Sequence, residues 1–90
     1  MHKEWKKIVL DQKAAKEERI QAAFHIEHAK EDGAIHALGK ALLTDPSPIV
    51  RHECAFSLGE TVQPQIASPY LMKAVETDSN IFVRHEAILA

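Results

Sequence analysis

The chain has 90 residues, 46% of them hydrophobic and 27% charged, with a formal net charge of −2, proportions that suit one small globular domain. Its longest apolar run, Ala87 to Ala90, is four residues, against roughly 20 for a membrane-spanning helix, and no apolar stretch follows the charged Met-His-Lys-Glu-Trp-Lys-Lys start, so no secretory signal is expected. The charge balance gives no support to electrostatic binding of nucleic acid, and one cysteine, Cys54, cannot form an internal disulfide, which fits a reducing compartment and makes a cytoplasmic location the expectation.

No stretch alternates apolar and polar residues with period 2, whereas apolar residues recur at helical spacing throughout, so the fold class is all-α. Six helices are predicted, near 2–12, 17–29, 33–43, 47–60, 65–76 and 80–90. The first carries Trp5, Ile8 and Val9 among the lysines Lys3, Lys6 and Lys7, with Lys13 and Lys16 following. The lysines read as a solvated face and Trp5 as a staple onto the helices behind it. The second has the stripe Ala22, Ala23 and Ile26. Its His25 and His28 share a face, a spacing able to bind metal, but no carboxylates are fixed around them, and they read as surface histidines, as does His36.

The third helix follows the break at Glu31-Asp32-Gly33 and presents Leu38, Leu42 and Leu43. Thr44-Asp45-Pro46-Ser47-Pro48 then stops one helix and starts the next, supplying residues suited to an N-cap and to a first helical turn. In the fourth helix Val50, Cys54 and Leu58 form the core stripe, with Cys54 as a small buried hydrophobe. His52 lies away from that stripe beside Phe56, and Glu53 falls on a strip with Ser57 and Glu60 that is free to face a cleft. Val62-Gln63-Pro64 leads into the fifth helix, with Leu71 and Val75. Thr77-Asp78-Ser79-Asn80 repeats the earlier break before the sixth, whose Ile88 and Leu89 should be partly exposed.

These breaks mark an internal repeat. Val50-Arg51-His52-Glu53-Cys54-Ala55 superposes on Val83-Arg84-His85-Glu86-Ala87-Ile88 at an offset of 33, and the match runs back through Thr44-Asp45 onto Thr77-Asp78 and Lys40-Ala41 onto Lys73-Ala74. An earlier copy places Arg19, Ala23 and Phe24 on Arg51, Ala55 and Phe56 at an offset of 32. The expected organisation is a single domain over 1–90, with a cap helix at 2–12 and units near 17–46, 47–79 and 80–90. Two-helix units of this length bury their apolar faces only by stacking into a solenoid. The carrying residues, Asp45…Val50-Arg51-x-Glu53-x-Ala55…Leu58-Gly59 and Asp78…Val83-Arg84-x-Glu86-Ala87, resemble the HEAT-like repeat family in its short, PBS-lyase-type form, which implies a right-handed α-α superhelix.

Two His-Glu pairs, His52-Glu53 and His85-Glu86, stand at equivalent repeat positions. Equivalent helices in stacked repeats lie about 8–10 Å apart, and a metal bonds imidazole nitrogen at about 2.1 Å, so one ion is within reach of both helices. Neighbouring residues point about 100° apart on a helix, so the stack offers a row of imidazoles beside a row of carboxylates. Such a nitrogen and oxygen set suits iron, manganese or zinc. A fold-only role for the glutamates and coincidence of the histidines is the competing reading. The chain carries no Gly-rich phosphate loop, no local Ser/His/Asp signature and no CxxC.

The longer pattern narrows the choice. Gly33-Ala34-Ile35, Asp45, His52-Glu53-Cys54-Ala55-Phe56-Ser57-Leu58-Gly59-Glu60 and Val83-Arg84-His85-Glu86-Ala87, preceded by Leu10-Asp11-Gln12-Lys13 and Arg19-Ile20-Gln21-Ala22-Ala23-Phe24, are similar to the N-terminal half of the deoxyhypusine hydroxylase family. The resemblance implies a HEAT-like, non-haem iron monooxygenase that binds two irons through His-Glu pairs and uses O₂ on a modified lysine of a translation factor. It makes His52, Glu53, His85 and Glu86 the candidate metal ligands and iron the candidate cofactor. That family has two such halves with the metal between them, and this sequence matches one. A symmetric homodimer is therefore the expected way to complete a site. The alternative is a non-catalytic helical-repeat scaffold whose partner is another protein.

Overall fold

A computed structural model describes residues 4–27 and 31–90. Six helices follow one another: α1 (Trp5–Leu10), α2 (Lys16–Ile26), α3 (Asp32–Thr44), α4 (Pro48–Gly59), α5 (Pro64–Thr77) and α6 (Ile81–Leu89). The described residues contain no strand, as the all-α reading requires. No described helix is long and apolar enough to cross a membrane.

The helix ends follow from local chemistry. Ser47 is the N-cap of α4, its hydroxyl accepting from the Val50 N–H, and Pro48 fills the first helical position, where the missing N–H costs nothing. Asn80 caps α6 by accepting from the N–H groups of Phe82 and Val83. Thr44 and Thr77 donate back to the carbonyls of Lys40 and Lys73 at 2.7 and 2.8 Å, so the last turns of α3 and α5 keep those acceptors occupied. The predicted spans differ from these bounds by one to three residues. Asp11 already ends α1, and Gly33 lies inside the first turn of α3 rather than in a break. Within the predicted second helix, His28 lies outside the described residues. Pro69 sits inside α5, which continues through it.

Packing arranges the helices in two layers. α1, α3 and α5 lie side by side in one, and α2, α4 and α6 in the other, with α1 on α2, α3 on α4 and α5 on α6. Among the described residues no contact joins α1 to α5 or α2 to α6, the nearest-neighbour pattern of a stacked solenoid. The body measures 38 × 26 × 15 Å. Its core runs between the layers. Ile35, Leu38 and Leu42 from α3 meet Val50, Cys54 and Leu58 from α4 in the middle, with Val9, Ala22 and Ile26 toward one end and Leu71, Val83 and Ala87 toward the other. Trp5 and Ile8 pack half-buried against that core, as the staple reading expects.

A polar ladder ties the stack together. Arg51 sends Nε to Asp78 Oδ2 at 2.8 Å and Nη2 to Asp78 Oδ1 at 3.3 Å, while Nη1 donates to the Asp45 carbonyl at 2.8 Å. Arg19 repeats the arrangement, with Nε 3.1 Å from Asp45 Oδ2 and Nη1 donating to the Gln12 and Ala14 carbonyls. These ion pairs are almost wholly buried, so each charge depends on its partner. Removing one member of such a pair typically costs about 3–5 kcal/mol.

Candidate functional site

The second turn of α4 and that of α6 bring two of the four predicted ligands together. His52 Nε2 stands 3.1 Å from Glu86 Oε1 across the α4–α6 interface. His52 is 47% exposed at its side chain and Glu86 19%, so the pair sits at the rim of the helix layer rather than inside it. The contact is an ion pair when the imidazole is protonated. Glu53, the neighbour of His52, is half-buried. His85 is exposed and makes no hydrogen bond or ion pair among the described residues. No three His, Cys, Asp or Glu side chains among the described residues are grouped to hold one ion, so this surface offers a two-residue foothold with further carboxylate nearby.

The carboxyl groups around this pair act on one another. Glu53 is held above the usual carboxylate range, first because burial strips water from it and second because the Glu27 carboxylate repels its charge. His52 pulls the other way, and Glu86 adds a smaller repulsion. Three carboxylates therefore share one neighbourhood. Beside His52 opens a groove of about 300 Å³ lined by Pro48, Ile49, His52, Asn80 and Phe82. Its walls include the largely exposed Ile49 and Phe82.

Cys54 is fully buried, and burial pushes its thiol far above the ordinary value, so it is a packing residue and a poor nucleophile. Ser57, expected on a strip able to face a cleft, is fully buried instead. Its hydroxyl has no hydrogen-bond partner among the described residues. His25 stacks on Trp5 with ring centroids 4.2 Å apart, and exposed His36 shares a 2.5 Å hydrogen bond between Nδ1 and the Tyr70 hydroxyl. Sequence reasoning missed Glu27, whose position has no counterpart in the His-Glu rows, and no spacing pointed to it. The Asp–Arg ladder is a second feature absent from the sequence expectations, although recurrence of Asp45/Asp78 and Arg19/Arg51/Arg84 near the repeat offset is the signal for it.

Comparison with known proteins decides the family. A family model for HEAT repeats matches residues 5–90. The chain belongs to the HEAT-repeat family. Curated proteins similar to these HEAT repeats include a deoxyhypusine hydroxylase of Schizosaccharomyces pombe, 34% identical over 80 residues, which cover 88% of this chain and 24% of that protein. A deoxyhypusine hydroxylase of Drosophila pseudoobscura pseudoobscura is 36% identical over 84 residues, covering 92% of this chain and 27% of its own length. One of Candida albicans is 35% identical over 83 residues, covering 91% and 26%. The chain thus spans about a quarter of the length of the curated relatives it matches. No solved structure matches it.

Proposed function

We propose that this HEAT-repeat protein is a metal-binding relative of deoxyhypusine hydroxylase in which His52, Glu53, His85 and Glu86 supply half of an iron site. The observation that carries the reading is the 3.1 Å approach of His52 Nε2 to Glu86 Oε1 across two stacked helices. An imidazole nitrogen and a carboxylate oxygen that close can bind one ion side by side, and such a donor set suits Fe(II). The donors fit iron in kind and fall short in number, because no third donor joins them among the described residues. A second copy related by a two-fold axis would add the same pairs from the opposite side. Iron bound there would supply the activation of dioxygen.

The chain's own residues have separable parts in this scheme. Glu86 holds His52 across the helix interface, and the two would both be donors to a bound ion. Glu53, whose carboxyl is held above the ordinary range by burial and by the Glu27 carboxylate, would add a carboxylate oxygen once ionised. The groove at Ile49 and Phe82 offers apolar surface beside the foothold, where the aliphatic part of a substrate side chain can lie. Hydroxylation of a deoxyhypusine-like lysine derivative is the reaction this combination suits.

The test is metal analysis and Fe(II) titration of the full chain, with sedimentation in the presence and absence of Fe(II). The expected result is stoichiometric Fe(II), an Fe(II)-dependent rise in mass above that of the metal-free chain at the same concentration, and a loss of affinity of about 10–100-fold on His52→Ala or His85→Ala. Absence of binding, or binding untouched by both changes, overturns it. The second reading, a protein-docking scaffold, is favoured by one feature, the exposed Phe82 and Ile49 beside the groove. It predicts that Phe82→Ser abolishes partner capture while His52→Ala leaves it intact.

A further inference from the structure

The Asp–Arg ladder has two unused ends, and they are complementary. We propose that a second copy of this chain stacks head to tail on the first, placing the Asp11 loop of one molecule against the α5/α6 edge of the other.

The ladder defines what each end lacks. Arg19 and Arg51 each use Nη1 to hold a carbonyl of the loop before them and Nε to reach the carboxylate of the next loop, Asp45 and Asp78 respectively. Arg84 makes the first contact, donating Nη1 to the Asp78 carbonyl at 2.8 Å. Its Nε and Nη2 have no acceptor among the described residues.

Asp11 is the mirror case. It follows α1 as Asp45 follows α3 and Asp78 follows α5. In all three the Oδ1 atom accepts from the N–H two residues on: Lys13 at 3.0 Å, Ser47 at 2.9 Å and Asn80 at 2.9 Å. Asp45 and Asp78 use their other oxygen for an arginine, whereas no arginine reaches exposed Asp11 among the described residues.

Apolar surface at the Arg84 end agrees. Leu71, Met72, Val75, Ala87 and Ile88 line a groove between α5 and α6. At the repeat positions of Ile88 the other layers have Ala23 and Ala55, both fully buried, while Ile88 is 64% exposed. Met72, 63% exposed, stands where α3 has the buried Gly39. A continuing pair of helices covers this surface and brings a loop aspartate to Arg84. Such a contact is heterologous, so it propagates into open chains or rings and does not stop at a dimer.

The proposal is independent of the metal reading. Head-to-tail stacking sets Ile20-Gln21, the counterparts of His52-Glu53, beside His85-Glu86, so it adds no third His-Glu pair.

Sedimentation velocity of the 90-residue chain without added metal tests it. The weight-average mass should rise with concentration past twice 10.1 kDa without a plateau at the dimer. Asp11→Arg alone and Arg84→Asp alone should each weaken association at least about thirtyfold. An equimolar mixture of the two variants should regain it, because each then meets an opposite charge. Asp11→Asn, which keeps the turn hydrogen bond, should weaken it in the same direction, and circular dichroism checks that every variant keeps its helices. A chain that stays at 10.1 kDa at all concentrations overturns the proposal. So does a mixture of folded variants that fails to associate. A discrete dimer that survives Asp11→Arg but is lost on Ile88→Glu also overturns it, because the α5/α6 edges then pair with each other.

Discussion

Glu53 shows how its place on a repeat scaffold shifts one carboxyl. Its raised pKa means that the folded chain holds the Glu53 proton more tightly than the unfolded chain does. Between the ordinary carboxylate value of 4.5 and the raised one, the native state binds more protons. Stability from this group is therefore complete at pH below 4.5 and falls as pH rises through the raised value. Glu53→Gln should raise stability at pH 7 by about 0.5 kcal/mol, a small figure because the group is only half-buried. The gain should vanish at low pH, as read by urea denaturation at the two pH values. If Glu53 is the iron ligand proposed above, saturating Fe(II) should reverse its sign. His52 and Glu86 were legible in the sequence because both recur at the repeat offset. Glu27 was not, because at the offset of 32 that relates α2 to α4 its counterpart is Gly59, and no repeated residue marks it.

At the scale of helices, the contact between α3 and α5 turns on one glycine. A Cβ built on Gly39 would lie 2.3–2.4 Å from three ring atoms of Tyr70, far inside van der Waals contact. Gly39 is thus a seat for the Tyr70 ring, and the ring's hydroxyl is held in turn by His36. Alanine is a better helix former than glycine by about 1 kcal/mol, but overpacking costs typically about 1–3 kcal/mol. Steric cost wins here because the neighbour is a rigid ring. Gly39→Ala should lower unfolding free energy by about 1–2 kcal/mol in chemical denaturation. In a Tyr70→Ala background the same change should become stabilising, since only the propensity gain remains. The helix starts at Pro48 and Ile81 were legible from the cap residues before them, and the six-helix order followed from periodicity. Tyr70 seating on Gly39 was not legible, since nothing local to either residue names the other. Pro69 inside α5 contradicts the rule that proline breaks a helix. It is exposed, so the Gln65 carbonyl it leaves without a helical N–H partner lies where water can supply the missing donor.

The whole molecule behaves as three coupled pairs of helices, because among the described residues contacts run only between adjacent pairs. In such a stack the stability of each pair is its own plus that of its interfaces. The middle pair has two interfaces and the end pairs one each. Burial follows the same order: Ile35, Leu38, Leu42, Val50, Cys54 and Leu58 in α3 and α4 are essentially inaccessible, whereas α6 buries only Val83 and Ala87 and exposes Ile81, Phe82, Ile88 and Leu89. Arg51, in the middle pair, is bound on both sides, and Arg84 in the last pair on one. Opening should therefore begin at the ends. Native-state hydrogen exchange should find the slowest amides in α3 and α4, at the global unfolding free energy, and those of α1 and α6 opening at roughly 1–3 kcal/mol less. The α1 and α6 amides should gain protection as concentration rises if copies stack end to end, while those of α3 and α4 should not. Uniform protection across all six helices, independent of concentration, would instead mean that the pairs unfold as one unit and that the ladder's free ends have no partner.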